Sequence, residues 1–133
     1  MNWTRLVAGL LVAGALTQVE GPLRAHHSLA AEFDTSTTVT ISGLITDMKW
    51  TNPHAWLHVD VRDAKGTVTK WAVEFGSPNS LYRRGWRRTD LPPKVPVTIT
   101  GYPNRDKSPT IAAIDVKLPD GRTLFAGNAS DNR

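Results

Sequence analysis

Residues 38–50, Thr-Val-Thr-Ile-Ser-Gly-Leu-Ile-Thr-Asp-Met-Lys-Trp, decide the fold. The run reads as one long strand, because its apolar residues recur with a period of two. Val39 and Ile41 share one face, and Gly43 then interrupts. Beyond it Leu44, Met48 and Trp50 take up the apolar set one residue out of phase. A glycine combined with a phase slip marks a bulge or a sharp bend. A long first strand bent in this way is what a small closed barrel requires.

The pattern extends outward from there. Residues 51–54, Thr-Asn-Pro-His, form a loop. Residues 55–62 alternate, with Leu57, Val59 and Val61 on one face and Trp56, His58 and Asp60 on the other. Asp63-Ala64-Lys65-Gly66 is a hairpin turn. Residues 67–75 return with Trp71, Val73 and Phe75 on the apolar face, and Lys70, Ala72 and Glu74 opposite. A short helix follows: Ser77 suits the N-cap, Pro78 the first helical position and Gly85 the end. Residues 95–102 are a fourth strand, with Pro96 near its start. Residues 110–118 are a fifth, with Ile114, Val116 and Leu118 inward. Asp120-Gly121 turns the chain into a last short strand, 122–125. Three strands, a helix and two strands, with the first strand long and bent, point to an all-β, five-stranded OB-like barrel with one short helix.

Residues 1–25 read as a cleaved signal peptide. Arg5 supplies the basic start, and 6–16 is an uncharged run of 11 residues. That suits a leader and is too short for a bilayer core of about 30 Å. Leu23-Arg24-Ala25 offers a cleavage site after Ala25. The chain then divides into an arm at 26–36, the barrel at 37–125 and a polar, frayed tail at 126–133. Export places the protein in the periplasm or outside the cell, without a stable membrane anchor. With no cysteine there is neither a disulfide nor a lipid attachment site of that kind. After cleavage 14 Lys and Arg stand against 11 Asp and Glu. That balance is too slight to call for a polyanion, and export argues against nucleic acid.

Three chemical features stand out. If cleavage exposes His26, its amine and imidazole form a two-nitrogen clamp for a divalent metal. A third nitrogen from His54 would complete a site suited to copper, with His27 as a substitute ligand. Glu32 and Asp34 could close that site or orient an imidazole. Against this, two histidines at a processing junction can be mere linker. The second feature is the outer face of Trp56, His58, Asp60 and Glu74, where an indole among polar groups could stack on a ligand. The third is Arg83, Arg84, Arg87 and Arg88, a candidate anion grip. Arg83 and Arg84 also fall where cations meet the negative end of a helix. No catalytic motif is present, so the residues describe a binding module for a small molecule or periplasmic protein rather than an enzyme.

Several stretches carry a resemblance. They are His26-His27-Ser28-Leu29-Ala30-Ala31-Glu32-Phe33-Asp34, Trp50-Thr51-Asn52-Pro53-His54-Ala55-Trp56, Glu74-Phe75-Gly76-Ser77-Pro78-Asn79 with Arg83-Arg84-Gly85-Trp86, and Leu118-Pro119-Asp120-Gly121-Arg122. Together they resemble the bacterial domain-of-unknown-function family 6152, small exported proteins. Leu29 stands where that pattern usually has Phe, and the loop at Asp106-Lys107-Ser108 lacks its usual Gly. The resemblance implies an exported single domain, and no activity. It also implies that His26, His27 and His54 belong to the motifs that define the family.

This reading predicts that protein recovered from the periplasm begins at His26. Intact mass measures it directly, and a chain beginning at Ala31 would discard both N-terminal histidines.

Overall fold

The computed structural model describes residues 28–126. Within them runs a sheet of six strands: β1 (Val39–Lys49), β2 (Trp56–Arg62), β3 (Val68–Glu74), β4 (Pro96–Pro103), β5 (Thr110–Lys117) and β6 (Thr123–Phe125). Strand order is β3-β2-β1-β4-β5-β6, and a further parallel pairing of β3 with β5 closes the first five into a barrel. A short helix α1 (Leu29–Glu32) precedes the barrel, and α2 (Pro78–Arg83) joins β3 to β4. The leader at 1–25, both N-terminal histidines and the tail from 127 lie outside the described residues.

The long first strand is bent, but its slip is not at Gly43. Val39, Ile41, Gly43 and Ile45 keep one inward series, with Ile45 buried. The register shifts between Ile45 and Asp47, so Thr46 is the extra residue. Its hydroxyl donates to the carbonyl of His58 (3.1 Å). Leu44, expected inside, is 50% exposed and pairs with Asp60 on the outer face. Gly43 serves close approach instead: a Cβ there would collide with the carbonyl oxygen of Asp60 and a Val59 methyl.

A second bulge corrects the fifth strand. Thr100 pairs with Asp115 and Gly101 with Ala113, which leaves Ile114 as the extra residue. The inward set is therefore Ile111, Ala113, Val116 and Leu118, and Ile114 is half-buried outside that series. Two bulges, one where β1 pairs with β2 and one where β5 pairs with β4, supply the twist that lets so few strands close. Alternation alone could not reveal the second bulge, because 111–114 is apolar throughout.

The helix forms where its caps place it. Ser77 accepts from the Ser80 N–H (3.3 Å), and Pro78 opens the first turn. Gly85 takes the left-handed conformation (φ +93°) that reverses the chain. The reversal drives Leu81 and Trp86 into the core. Trp86 meets Phe75 edge to face, with 5.2 Å between centroids, and its indole N–H donates to the carbonyl of Phe125 (2.8 Å). Ala126, assigned to the tail from sequence, is also buried. Its N–H donates to Ile114, and its carbonyl accepts from Gly76.

Gly43→Ala tests the close crossing. Overpacking against backbone should cost about 2 kcal/mol, or roughly 10 °C in Tm for a barrel of this size. An unchanged melting curve would show that β1 and β2 are not so tightly crossed.

Candidate functional site

The ladder between β2 and β3 continues one step past both strands. The Ala55 N–H donates to Gly76 (3.1 Å), and the Phe75 N–H to Ala55 (2.9 Å). His54 is thereby held one residue beyond the paired backbone, and the Thr51 hydroxyl fixes its carbonyl (3.1 Å). Its ring turns back onto β3. Nδ1 lies 2.9 Å from the carbonyl oxygen of Phe75 and 3.1 Å from Oε1 of Glu74. A carbonyl can only accept, so Nδ1 carries the proton. In the neutral ring Nε2 then keeps its lone pair, and that is the nitrogen a metal or an acidic hydrogen can use.

Glu74 is the buried half of this pair, its side chain 13% exposed against 32% for His54. Burial pushes its carboxyl above the ordinary carboxylate value, the positive form of His54 opposes the shift, and nearby Glu32 adds to it. The arm brings Glu32 there. Phe33 is buried and bridges to Asn104. The Arg105 N–H donates to the carbonyl of Glu32 (3.0 Å), and Arg105 Nε to that of Ala30 (2.9 Å). The loop after β4 thus fastens α1. That loop also touches β3, where the Ala72 N–H donates to Pro109 (3.0 Å). Glu32 is thereby brought near enough to act on the Glu74 carboxyl, which His54 contacts directly. Asp34, expected beside Glu32, instead accepts from the Ser36 hydroxyl and N–H, which hold its carboxyl below the usual value.

The second set from sequence shares one face. Trp56 pairs with Glu74, His58 with Ala72 and Asp60 with Lys70 across β3, and with Lys49, Asp47 and Leu44 across β1. Partners directly opposite lie on the same side of a sheet. His58 Nδ1 stands 3.8 Å from the Asp47 carboxylate. Asp60 and Glu74 do not form an acid–base pair: Asp60 pairs with Lys70, which is four positions from Glu74 along β3, roughly 13 Å.

The arginines divide. Arg83 closes α2 and Arg84 is its C-cap. Arg87 lies over the Tyr82 ring (5.8 Å), Tyr82 stacks on Trp50 (5.3 Å), and Arg88 lies over Trp50 (6.0 Å). Arg87 also donates to the carbonyl of Trp86 (2.7 Å). Half the cluster therefore pins α2 to the end of β1, a role hidden in sequence because Trp50 and Tyr82 are far apart along the chain.

Among the described residues no three His, Asp or Glu side chains are grouped to hold a metal by themselves. No helix among them is long and apolar enough to cross a membrane. Residues 15–112 match the domain-of-unknown-function family 6152, a family of unknown function, and the chain belongs to it. No curated protein matches the chain in sequence.

The raised Glu74 carboxyl has a consequence for stability. In the window between its ordinary value and its raised one, the folded chain holds a proton the unfolded chain releases. Stability from this group is therefore full below the ordinary value and falls as pH rises through the window. Glu74→Gln lacks that fall. Denaturant titrations from pH 4 to 7 should show the variant gaining on the wild type as pH rises, and a constant gap would mean Glu74 is not desolvated.

Proposed function

We propose that this protein is an exported periplasmic binding module that takes copper through His54 and its mature N-terminal histidine. The supporting observation is the His54 ring, held by the Phe75 carbonyl and the Glu74 carboxylate through Nδ1. A carboxylate or carbonyl on one ring nitrogen fixes the tautomer and raises the basicity of the other, the usual arrangement behind a metal-bound histidine. His54 brings one nitrogen. His26 brings its amine and imidazole once the leader is removed after Ala25, and His27 substitutes if the register differs. Nitrogen donors in this number suit copper(II).

The arm makes the encounter feasible. Glu32 sits close enough to Glu74 to raise its carboxyl. Five residues lie between His26 and Glu32, and from His26 to the start of α1 at Leu29 the chain can reach at most about 11 Å. Glu32 and Glu74 together place negative charge beside the incoming cation. All nitrogens must be deprotonated, so affinity falls as pH drops.

A metal-free reading rests on the shared outer face of Trp56, His58 and Asp60. There the module would hold a small molecule or a periplasmic protein, with Arg83 and Arg84 as further contacts. Binding that survives a strong chelator and deletion of 26–27 is its signature.

Competition against a chromogenic chelator measures the copper affinity of protein beginning at His26. His54→Ala should weaken it by about 100-fold and Glu74→Gln by about tenfold. Equal affinity in the His54 variant removes His54 from the site.

A further inference from the structure

We propose that the arginine-rich turn after α2 is a docking surface for an anionic phospholipid membrane. Residues 82–90 carry Arg83, Arg84, Arg87 and Arg88 against one acid, Asp90, a net of three positive charges. Beyond Ala25 the whole chain has the same net charge, with 14 Lys and Arg against 11 Asp and Glu. The excess therefore lies in this one segment, and the rest of that chain is balanced. A molecule charged in this way turns one side toward an anionic surface. The turn is separate from the His54 pair, and its role stands whether or not copper binds.

The chain reversal at Gly85 gathers those charges, two arginines before it and two after. Trp86 between them is buried, while Tyr82, Arg83, Arg84, Arg87 and Arg88 are exposed. Arg87 lies 5.8 Å from the Tyr82 ring centre, Tyr82 stacks on Trp50, and Arg88 lies 6.0 Å from the Trp50 ring centre. Two cations from beyond the reversal are thus returned to the residue that precedes Arg83. Among the described residues no carboxylate forms an ion pair with Arg83, Arg87 or Arg88. Asp90 is turned instead to Arg122 (3.1 Å) and to the Arg87 N–H (2.7 Å). Arg122 answers to Asp120 as well (2.8 Å), so this pairing takes nothing from the four arginines beyond the one charge already counted.

The occupant follows from what this patch has and what it lacks. Its middle is charge, whereas the core of a protein–protein interface is depleted of charge. Its side chains stand exposed on a turn, whereas a small anion needs a concave site that converges on it. A lipid surface needs neither. It offers many headgroup phosphates in one plane, and each basic side chain near it contributes. Tyr82, 41% exposed beside Arg87, supplies the remaining feature. Its ring is apolar and its hydroxyl polar, which suits the depth of the headgroups. The arginine stems are apolar over the same length and carry their charge at the tip.

Co-sedimentation with lipid vesicles tests this, using protein beginning at His26 with a chelator present. The expected result is binding to vesicles containing about one third phosphatidylglycerol and none to pure phosphatidylcholine. Salt at about 0.5 M should abolish it, because the charges are exposed and screened. Arg83→Gln with Arg88→Gln should bind about 25-fold more weakly, roughly fivefold for each arginine. Arg83→Lys with Arg88→Lys should stay within about threefold of the wild type, which separates lost charge from a disturbed turn. Lys65→Gln with Lys70→Gln removes the same charge from exposed positions at the other end of β3 and should bind as the wild type does. Absence of binding to the anionic vesicles, equal binding to phosphatidylcholine, or equal affinity in the glutamine variant of the arginines overturns the proposal. So does an equal loss in the lysine variant of the arginines or in the Lys65 and Lys70 variant. A soluble polyanion, oligothymidylate or polyaspartate of matching charge, that binds as tightly as the vesicles also overturns it.

Discussion

Closure of the sheet through three parallel pairs, Ala72 with Thr110, Val73 with Ile111 and Glu74 with Ala112, is the constraint on which the remainder depends. Five short strands can close only if they are strongly coiled. Thr46 and Ile114 provide the coiling as bulges. Gly43 and Gly101 let the backbones cross where a Cβ would strike a carbonyl. Without that closure β3 would end as an open edge. The loop after β4 would then have no reason to lie beside it, and the arm which that loop holds would be elsewhere.

The chemistry follows from the same closure. Glu74 is the last residue of β3 and lies in the closing ladder, so its carboxylate is drawn away from water. A buried carboxylate without a partner is costly, and His54 supplies one at 3.1 Å. Glu32 works against the pair, because a second carboxylate nearby pushes the first toward its protonated form. Glu74 is thus held between a group that favours its charged form and one that opposes it. The same loop after β4 fastens the arm, through the Arg105 N–H on Glu32 and Arg105 Nε on Ala30.

Much of the barrel was legible because period two is a direct consequence of strand geometry. The helix was legible through Ser77, Pro78 and Gly85, which act locally. The bulges were not. Leu44 and Ile45 are adjacent and both apolar, so the slip could be put at Gly43 or beyond Ile45, and only pairing with Asp60 settles it. Of the site, His54 and Glu32 were visible as a histidine in a loop and an acid near two histidines. Glu74 was assigned to the Trp56 face, and register does place it opposite Trp56. Its contact with His54 depends on the side chain turning along the strand, which no alternation rule contains.

Electron paramagnetic resonance on copper(II) bound at one equivalent to protein beginning at His26 tests the central claim most directly. The account predicts coordination by the terminal amine and two imidazoles, one of them His54 through Nε2, with its remote Nδ1 visible in the spin-echo modulation. A spectrum with one imidazole or none, unchanged when His54 is replaced, would contradict it.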